Sequence, residues 1–166
     1  NSAAAYTVSL LQAKVIRELR LAEHGLRIVE RPLSNFLPFE SGYLKVGGGL
    51  EATQREVAKF SVRDAERLPD YYRTIENIAG VLRGAVLETP PNVGGGVWNV
   101  FKILKFGNKI RKIGIESQRD LIETFTRSAA ELLDRWFESE PIKAVFGFDA
   151  VVGNYASPFH PGTAYV

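Results

Sequence analysis

Three groups of residues have types and spacings that chemistry can use. The first is Gly47-Gly48-Gly49-Leu50-Glu51-Ala52, which fits the dinucleotide fingerprint G-x-G-x-x-G/A. Its glycines would let backbone amides approach a pyrophosphate at a helix N-terminus. Here the preceding stretch holds Lys45 and reads as one arm of a hairpin, and no later strand closes a βαβ unit. Glu51 would also repel a phosphate at the helix start. The segment therefore reads as a strand-to-helix turn, and no residue is assigned to cofactor binding.

The second group lies in residues 97–113. No acidic residue occurs between Glu88 and Glu116, while Lys102, Lys105, Lys109, Arg111 and Lys112 supply five positive charges. Trp98, Phe101 and several aliphatic residues interleave with them, a composition suited to a helix lying in a membrane interface. Anionic headgroups would attract such charges at about 1 kcal/mol each. Trp98, Phe101, Lys102, Lys105, Lys109, Arg111 and Lys112 are the candidate lipid contacts. The alternatives are a protein-interaction face and a soluble helix with a basic outer surface. Nucleic acid is not expected, because these aromatics sit at helical spacing rather than on a strand platform.

The third group is the histidines and paired carboxylates. His24 precedes Gly25, a residue type that ends helices, and is expected to cap carbonyls there. His160 lies in Ser157-Pro158-Phe159-His160-Pro161-Gly162 with no identifiable partner carboxylate, so it fails the test for a general base. Asp134 and Glu138, one turn apart, are read as a solvated pair. With two His and no Cys, neither a metal cluster nor a thiol nucleophile is expected, and no catalytic residue is assigned.

The elements that must position these residues are mostly helical. Val15, Ile16, Leu19 and Ala22 predict a helix over 12–24 ended by Gly25, and residues 26–29 read as a short strand. Residues 35–39 and 43–46 form a hairpin around Glu40-Ser41-Gly42, with Pro32 and Pro38 confined to strand ends or an edge. A helix follows over 50–60. Ser61 with Asp64 resembles a capping box, and Leu68, Tyr72, Ile75, Ala79, Leu82 and Val86 line one face of a long helix. Pro69 should kink or restart it. Thr89-Pro90-Pro91 ends it, 92–96 is a loop, and 97–113 should break near Gly107. Ser117 is expected to cap a helix through Arg127, Ser128 with Glu131 a second carrying Leu132, Leu133, Trp136 and Phe137, and Ser139-Glu140-Pro141 to open a third. From Gly147 onward the chain should become irregular.

At 166 residues, 45% hydrophobic and 24% charged, the chain suits a single globular domain, 1–166, of α+β class. It would be mostly helical with a small antiparallel sheet near the N-terminus. A net charge of +2 is too small to argue for nucleic-acid binding. No apolar run reaches the roughly 18 residues that span a bilayer, and no signal-peptide pattern opens the chain. Met is absent and Asn1 comes first, so a piece of a longer or processed polypeptide is expected.

Several stretches resemble the phytoene dehydrogenase-like FAD-dependent oxidoreductases, particularly a branch of pyridine nucleotide-disulfide oxidoreductase domain-containing proteins. They run from Tyr6-Thr7-Val8-Ser9-Leu10-Leu11 through Arg17-Glu18-Leu19, His24-Gly25-Leu26, Glu51-Ala52-Thr53, Phe60-Ser61, Asp64-Ala65-Glu66 and Thr89-Pro90-Pro91. They continue with residues 132–141, Phe148-Asp149 to Gly153, Ser157-Pro158, and Pro161-Gly162-Thr163-Ala164-Tyr165-Val166. The resemblance implies the substrate or cap portion of a two-domain flavoenzyme, with the flavin-binding Rossmann portions absent. FAD would belong to the full-length protein and not to this segment alone. It further implies an apolar small-molecule substrate, hydride transfer to flavin, the rest of the flavoenzyme chain as partner, and a cytoplasmic location that can be peripheral to a membrane. Asn154, Tyr155, Ser157 and His160 would lie nearest the substrate.

Overall fold

A computed structural model describes residues 11–84, 88–89, 92, 96–152 and 154–165, the side chains at 105, 106 and 109 excepted. The expectations for Tyr6 to Leu10, Val86, Pro90-Pro91, the middle of the 92–96 loop, Gly153 and Val166 fall outside those residues. The chain divides into two compact units, Asn1–Pro32 and Leu33–Val166.

In the first unit, α1 spans Ala13–Glu18, much shorter than the expected helix. Arg20 turns left-handed, φ 48°, where a side chain costs about 1–2 kcal/mol. Its amide bonds the Arg17 carbonyl while the Leu21 amide reaches the Ile16 carbonyl. This is the paired closure of a Schellman turn, here with arginine in the glycine position. A second such turn follows. Gly25, φ 89°, bonds Ala22, and Leu26 bonds Leu21, so glycine does end a turn, but not that of α1. Residues 26–29 form no strand, and Ile28 and Val29 are exposed. The apolar run has no pairing partner among the described residues.

The second unit opens with the antiparallel hairpin β1 Asn35–Phe39 and β2 Gly42–Val46, in the expected place, with Leu37 opposite Leu44. Period-two alternation turns Leu37, Phe39, Leu44 and Val46 inward and leaves Phe36 and Tyr43 exposed. Gly47 is required by close approach, since a Cβ there would stand 2.6 Å from the Ser34 nitrogen. Thr53 then locks the turn: its hydroxyl accepts from the Gly47 amide at 3.1 Å and donates to the Gly49 carbonyl at 3.0 Å.

Helix α2 spans Leu50–Val57 and α3 Val62–Arg83. Helix α3 runs through Pro69 without a restart. A proline removes the amide that would bond the carbonyl four residues earlier, here that of Ala65. Gln54 of α2 supplies the donor instead, its Nε2 lying 2.9 Å from the Ala65 oxygen. The buried face of α3 is Asp64, Ala65, Leu68, Tyr71 and Ile78, with Tyr72 and Ile75 half-buried beside it.

Helix α4, Val97–Arg111, runs unbroken through Gly107, because one interior glycine costs only about 1 kcal/mol. Helix α5, Ile115–Thr126, starts from Gly114 at φ 83° rather than from a Ser117 cap. Helix α6, Ala129–Trp136, has the expected Ser128–Glu131 capping box, and α7 spans Glu140–Asp149 with Pro141 in its first turn. The core joins Leu44, Val46, Val57, Leu68, Tyr71, Leu133, Phe137, Ile142 and Val145. Tyr71 is its aromatic hub, within 5.0–5.9 Å of the rings of Phe137, Phe146, Trp136 and Tyr72.

The supposed Ser61–Asp64 box is only half made. Ser61 accepts from the Asp64 amide at 3.1 Å, but the Asp64 carboxylate turns inward instead of back. It accepts from the Glu138 and Ser139 amides, each at 2.9 Å, and from the Ser139 hydroxyl at 2.6 Å. Arg67, one turn on, donates to the Arg135 and Trp136 carbonyls at 3.1 and 3.3 Å. One face of α3 thus holds both ends of the α6–α7 junction.

The Gln54 substitution gives a direct check on the proline repair. Gln54→Ala should cost about 1–2 kcal/mol in denaturant unfolding by leaving the Ala65 carbonyl unpaired. Adding Pro69→Ala should recover most of that loss, since the new amide takes over the bond. Additive effects of the two changes would refute the repair.

Candidate functional site

Helices α6 and α7 and the irregular chain after them line an open, mostly apolar cleft of about 550 Å³. Leu133, Ala144, Gly147, Phe148, Pro158 and Phe159 form most of its wall. Gly147 leaves much of the room: a Cβ there would touch Leu133 at 3.5 Å, and anything larger would extend into the space. The Lys143 ammonium in the wall lies 2.6 Å from Glu140 and 3.0 Å from Asp134. Glu140 first, then Asp134, holds it above the ordinary lysine pKa. The cation therefore stays charged and neutralised, and it offers a ligand little free charge.

Thr163, buried, fastens the irregular chain to α6. Its hydroxyl accepts from the Ala129 amide at 3.0 Å and donates to the His160 carbonyl at 2.8 Å. The Ala130 amide bonds the Pro158 carbonyl at 3.0 Å. The exposed first-turn amides of α6 are the natural anchors for such a loop.

The four residues expected nearest a substrate share one turn beside this cavity, but the wall is made by the residues between them. The Asn154 amide bonds Val151, Tyr155 stands fully in solvent, and the Ser157 hydroxyl accepts from Phe159 at 3.3 Å. His160 is exposed, and its amide bonds Ser157. Pro158 and Phe159 border the cleft, Phe159 with 75% of its surface exposed. Lys143, Ala144, Gly147 and Val151 were missed in the sequence, although their three- and four-residue spacing is the signal of a helical face.

A second, smaller cavity of about 250 Å³ lies among α3, α6 and α7, lined by Tyr71, Ile78, Leu82, Phe146, Asp149 and Tyr165 among others. Partial desolvation pushes the Asp149 carboxyl above its ordinary value, although the residue as a whole is exposed, and no donor or cation among the described residues pairs with it. The Tyr71 hydroxyl is raised as well, mainly by burial and then by the neighbouring Tyr72 and Asp149. A third cleft between α3 and α5 is charged but internally matched, with Glu123 on Arg135 and Asp120 beside Arg119.

Among the candidate lipid contacts, Trp98 is 82% and Phe101 60% exposed, and Lys102, Arg111 and Lys112 are exposed beside them. The Lys105 and Lys109 side chains are outside the described residues. The His24 imidazole caps no carbonyl among the described residues. Among those residues no cluster could hold a metal, and no helix is long and apolar enough to cross a membrane. Nor do the glycines at 47–49 suit a dinucleotide. They follow an antiparallel hairpin, the Gly47 amide already donates to Thr53, and Glu51 stands in the first turn of α2.

The chain is similar to pyridine nucleotide-disulfide oxidoreductase domain-containing protein 2 of Mus musculus, 32% identical over 99% of this chain and 31% of the relative. The protein of that name in Rattus norvegicus is 29% identical over the same shares. The chain thus spans about a third of the length of these curated relatives. No protein-family model matches it, and no solved structure does.

The raised Asp149 pKa has a definite sign in stability. The unfolded chain binds this proton less tightly than the folded one, so ionising Asp149 disfavours the fold. Asp149→Asn should therefore raise the Tm at pH 7, and the gain should shrink as pH falls through the raised carboxyl pKa. A lowered Tm at pH 7 would show that Asp149 has a stabilising partner.

Proposed function

We propose that this chain is the substrate-binding portion of an FAD-dependent, phytoene dehydrogenase-like oxidoreductase acting on an apolar substrate by hydride transfer to flavin. The observation that carries the reading is similarity running along 99% of the chain to relatives named as oxidoreductase-domain proteins. The apolar cavity of about 550 Å³ supports it, being of the size that holds a small organic ligand. The described residues do not fit a flavin's pyrophosphate, and other polypeptide would hold the cofactor. What this chain's own residues supply is binding and orientation. Leu133, Phe148, Pro158 and Phe159 would take up an apolar molecule along the cleft beside Gly147.

A second reading is favoured by one observation, the bare outer face of α4. Val97, Trp98, Phe101 and Leu104 are 60–82% exposed beside a run of cations. Single exposed apolar residues are ordinary, but a row of them with an indole and basic neighbours suits an anionic membrane surface. An enzyme for a lipophilic substrate could combine the two roles.

Two experiments separate these readings. The purified chain should be colourless and should bind the neutral apolar fluorophore 1-N-phenylnaphthylamine with a blue-shifted emission. Gly147→Leu should weaken that binding about tenfold at unchanged circular dichroism. Stoichiometric flavin in the purified chain, or binding indifferent to Gly147→Leu, would overturn the first reading. For the second, the chain should sediment with phosphatidylserine vesicles at low salt, and Lys102→Gln with Arg111→Gln and Lys112→Gln should release it. Sedimentation unchanged by those substitutions would refute it.

A further inference from the structure

The cleft of about 380 Å³ between α3 and α5 draws one arginine from each of three helices, Arg67 from α3, Arg119 from α5 and Arg135 from α6. Its lining charges match in number, since Asp70, Asp120 and Glu123 stand there too. The pairing is uneven. Glu123 is held by Arg135 and lies 3.8 Å from Arg127 as well, while Asp70 lies 2.9 Å from Arg73. Arg73 and Arg127 thus bring the guanidiniums around these three carboxylates to five.

Two of the lining arginines have donors left over. Arg67, half-buried, uses only Nη1, on the Arg135 and Trp136 carbonyls, so its Nε and Nη2 have no partner among the described residues. Arg119 donates no hydrogen bond among them. The one acid within 4 Å of it is the adjacent Asp120, and 3.8 Å is beyond hydrogen-bond range. Successive residues on a helix do not face each other, so that contact leaves the guanidinium fork open. Thr74 supplies a third group. The hydroxyls of Thr124 and Thr126 donate to carbonyls four residues back, but that of Thr74, half-buried in the cleft, bonds nothing among the described residues. A side-chain hydroxyl so placed is ordinarily paired. Ile75, Ile78 and Leu132 give the same cleft an apolar floor. A planar guanidinium presents parallel donors that match a carboxylate or a phosphate, and the volume falls in the roughly 300–1,000 Å³ range of small-molecule sites.

We propose that this cleft binds a small organic anion, a carboxylate or phosphate carried on an apolar body, with Arg67, Arg119 and Thr74 taking the anionic group and Ile75, Ile78 and Leu132 lying under the body. The inference stands apart from the flavoenzyme reading, because it concerns a different cleft and needs no cofactor.

Chemical-shift titration of the 166-residue chain at low salt with benzoate, phenyl phosphate, benzyl alcohol and benzylammonium tests it. Benzoate and phenyl phosphate should shift the amides of Thr74 and Arg119 and the indole of Trp136, and the tighter of the two identifies the head group. That anion should bind at least tenfold more tightly than benzyl alcohol, and benzylammonium should leave these signals unmoved. Arg119→Gln, which removes no hydrogen bond seen in the fold, should weaken the anion at least fivefold at unchanged circular dichroism and leave alcohol binding as it was. Thr74→Val should weaken it by a smaller factor. Equal affinity for anion and alcohol, anion shifts confined to the basic residues of α4, or an anion affinity that survives Arg119→Gln would each overturn the proposal.

Discussion

The second unit depends on a pair of opposite charges one turn apart on α3. Asp64 takes the amides that open α7, and Arg67 takes the carbonyls that close α6. A helix leaves its last carbonyls without intrahelical partners; Arg67 serves those of α6, and Asp64 serves the two amides just ahead of α7. A carboxylate for one set and a guanidinium for the other complement the dipole of each helix as well as its hydrogen bonds. Ser61 and Arg63 extend the contact by holding Glu138, whose carboxyl they keep below its ordinary pKa. Both clefts are lined in part by residues of those two helices.

How much of this was legible in the sequence depends on the range of the interaction. The hairpin could be read because alternation and a short polar turn are local, and the Ser128–Glu131 box because its partners are three residues apart. Asp64 misled for the same reason: a carboxylate three residues after a serine satisfies the local pattern, yet its partners lie 74 and 75 positions away. That the helix continues through Pro69 was not legible for the same reason, since the donor for the Ala65 carbonyl sits on a different element. Arg20 offered no signal at all, because composition does not mark a non-glycine residue in a left-handed turn.

The candidate site shows the same division. The sequence directed attention to the polar residues of the turn at 154–160, where binding groups commonly lie. The structure gives the cavity wall to Pro158 and Phe159 between them, and to a face of α7 whose small residues carry no chemistry of their own. A groove is made by what is missing, here a side chain at Gly147, and absence is hard to read without the opposing surface of Leu133.

The bond from Gln54 to the Ala65 carbonyl also bears on how the molecule opens. In an ordinary helix each turn is closed by its own backbone, so one helix can fray while its neighbour stays intact. Here the second turn of α3 borrows its closing donor from α2. Loosening α2 therefore strips a hydrogen bond from the interior of α3, and the two helices are joined as a single cooperative unit for amide exchange. That unit extends from Thr53, which closes the glycine turn, to Asp64, which holds the α6–α7 junction. Local breathing at the hairpin's exit thus reaches the helices that bound both cavities.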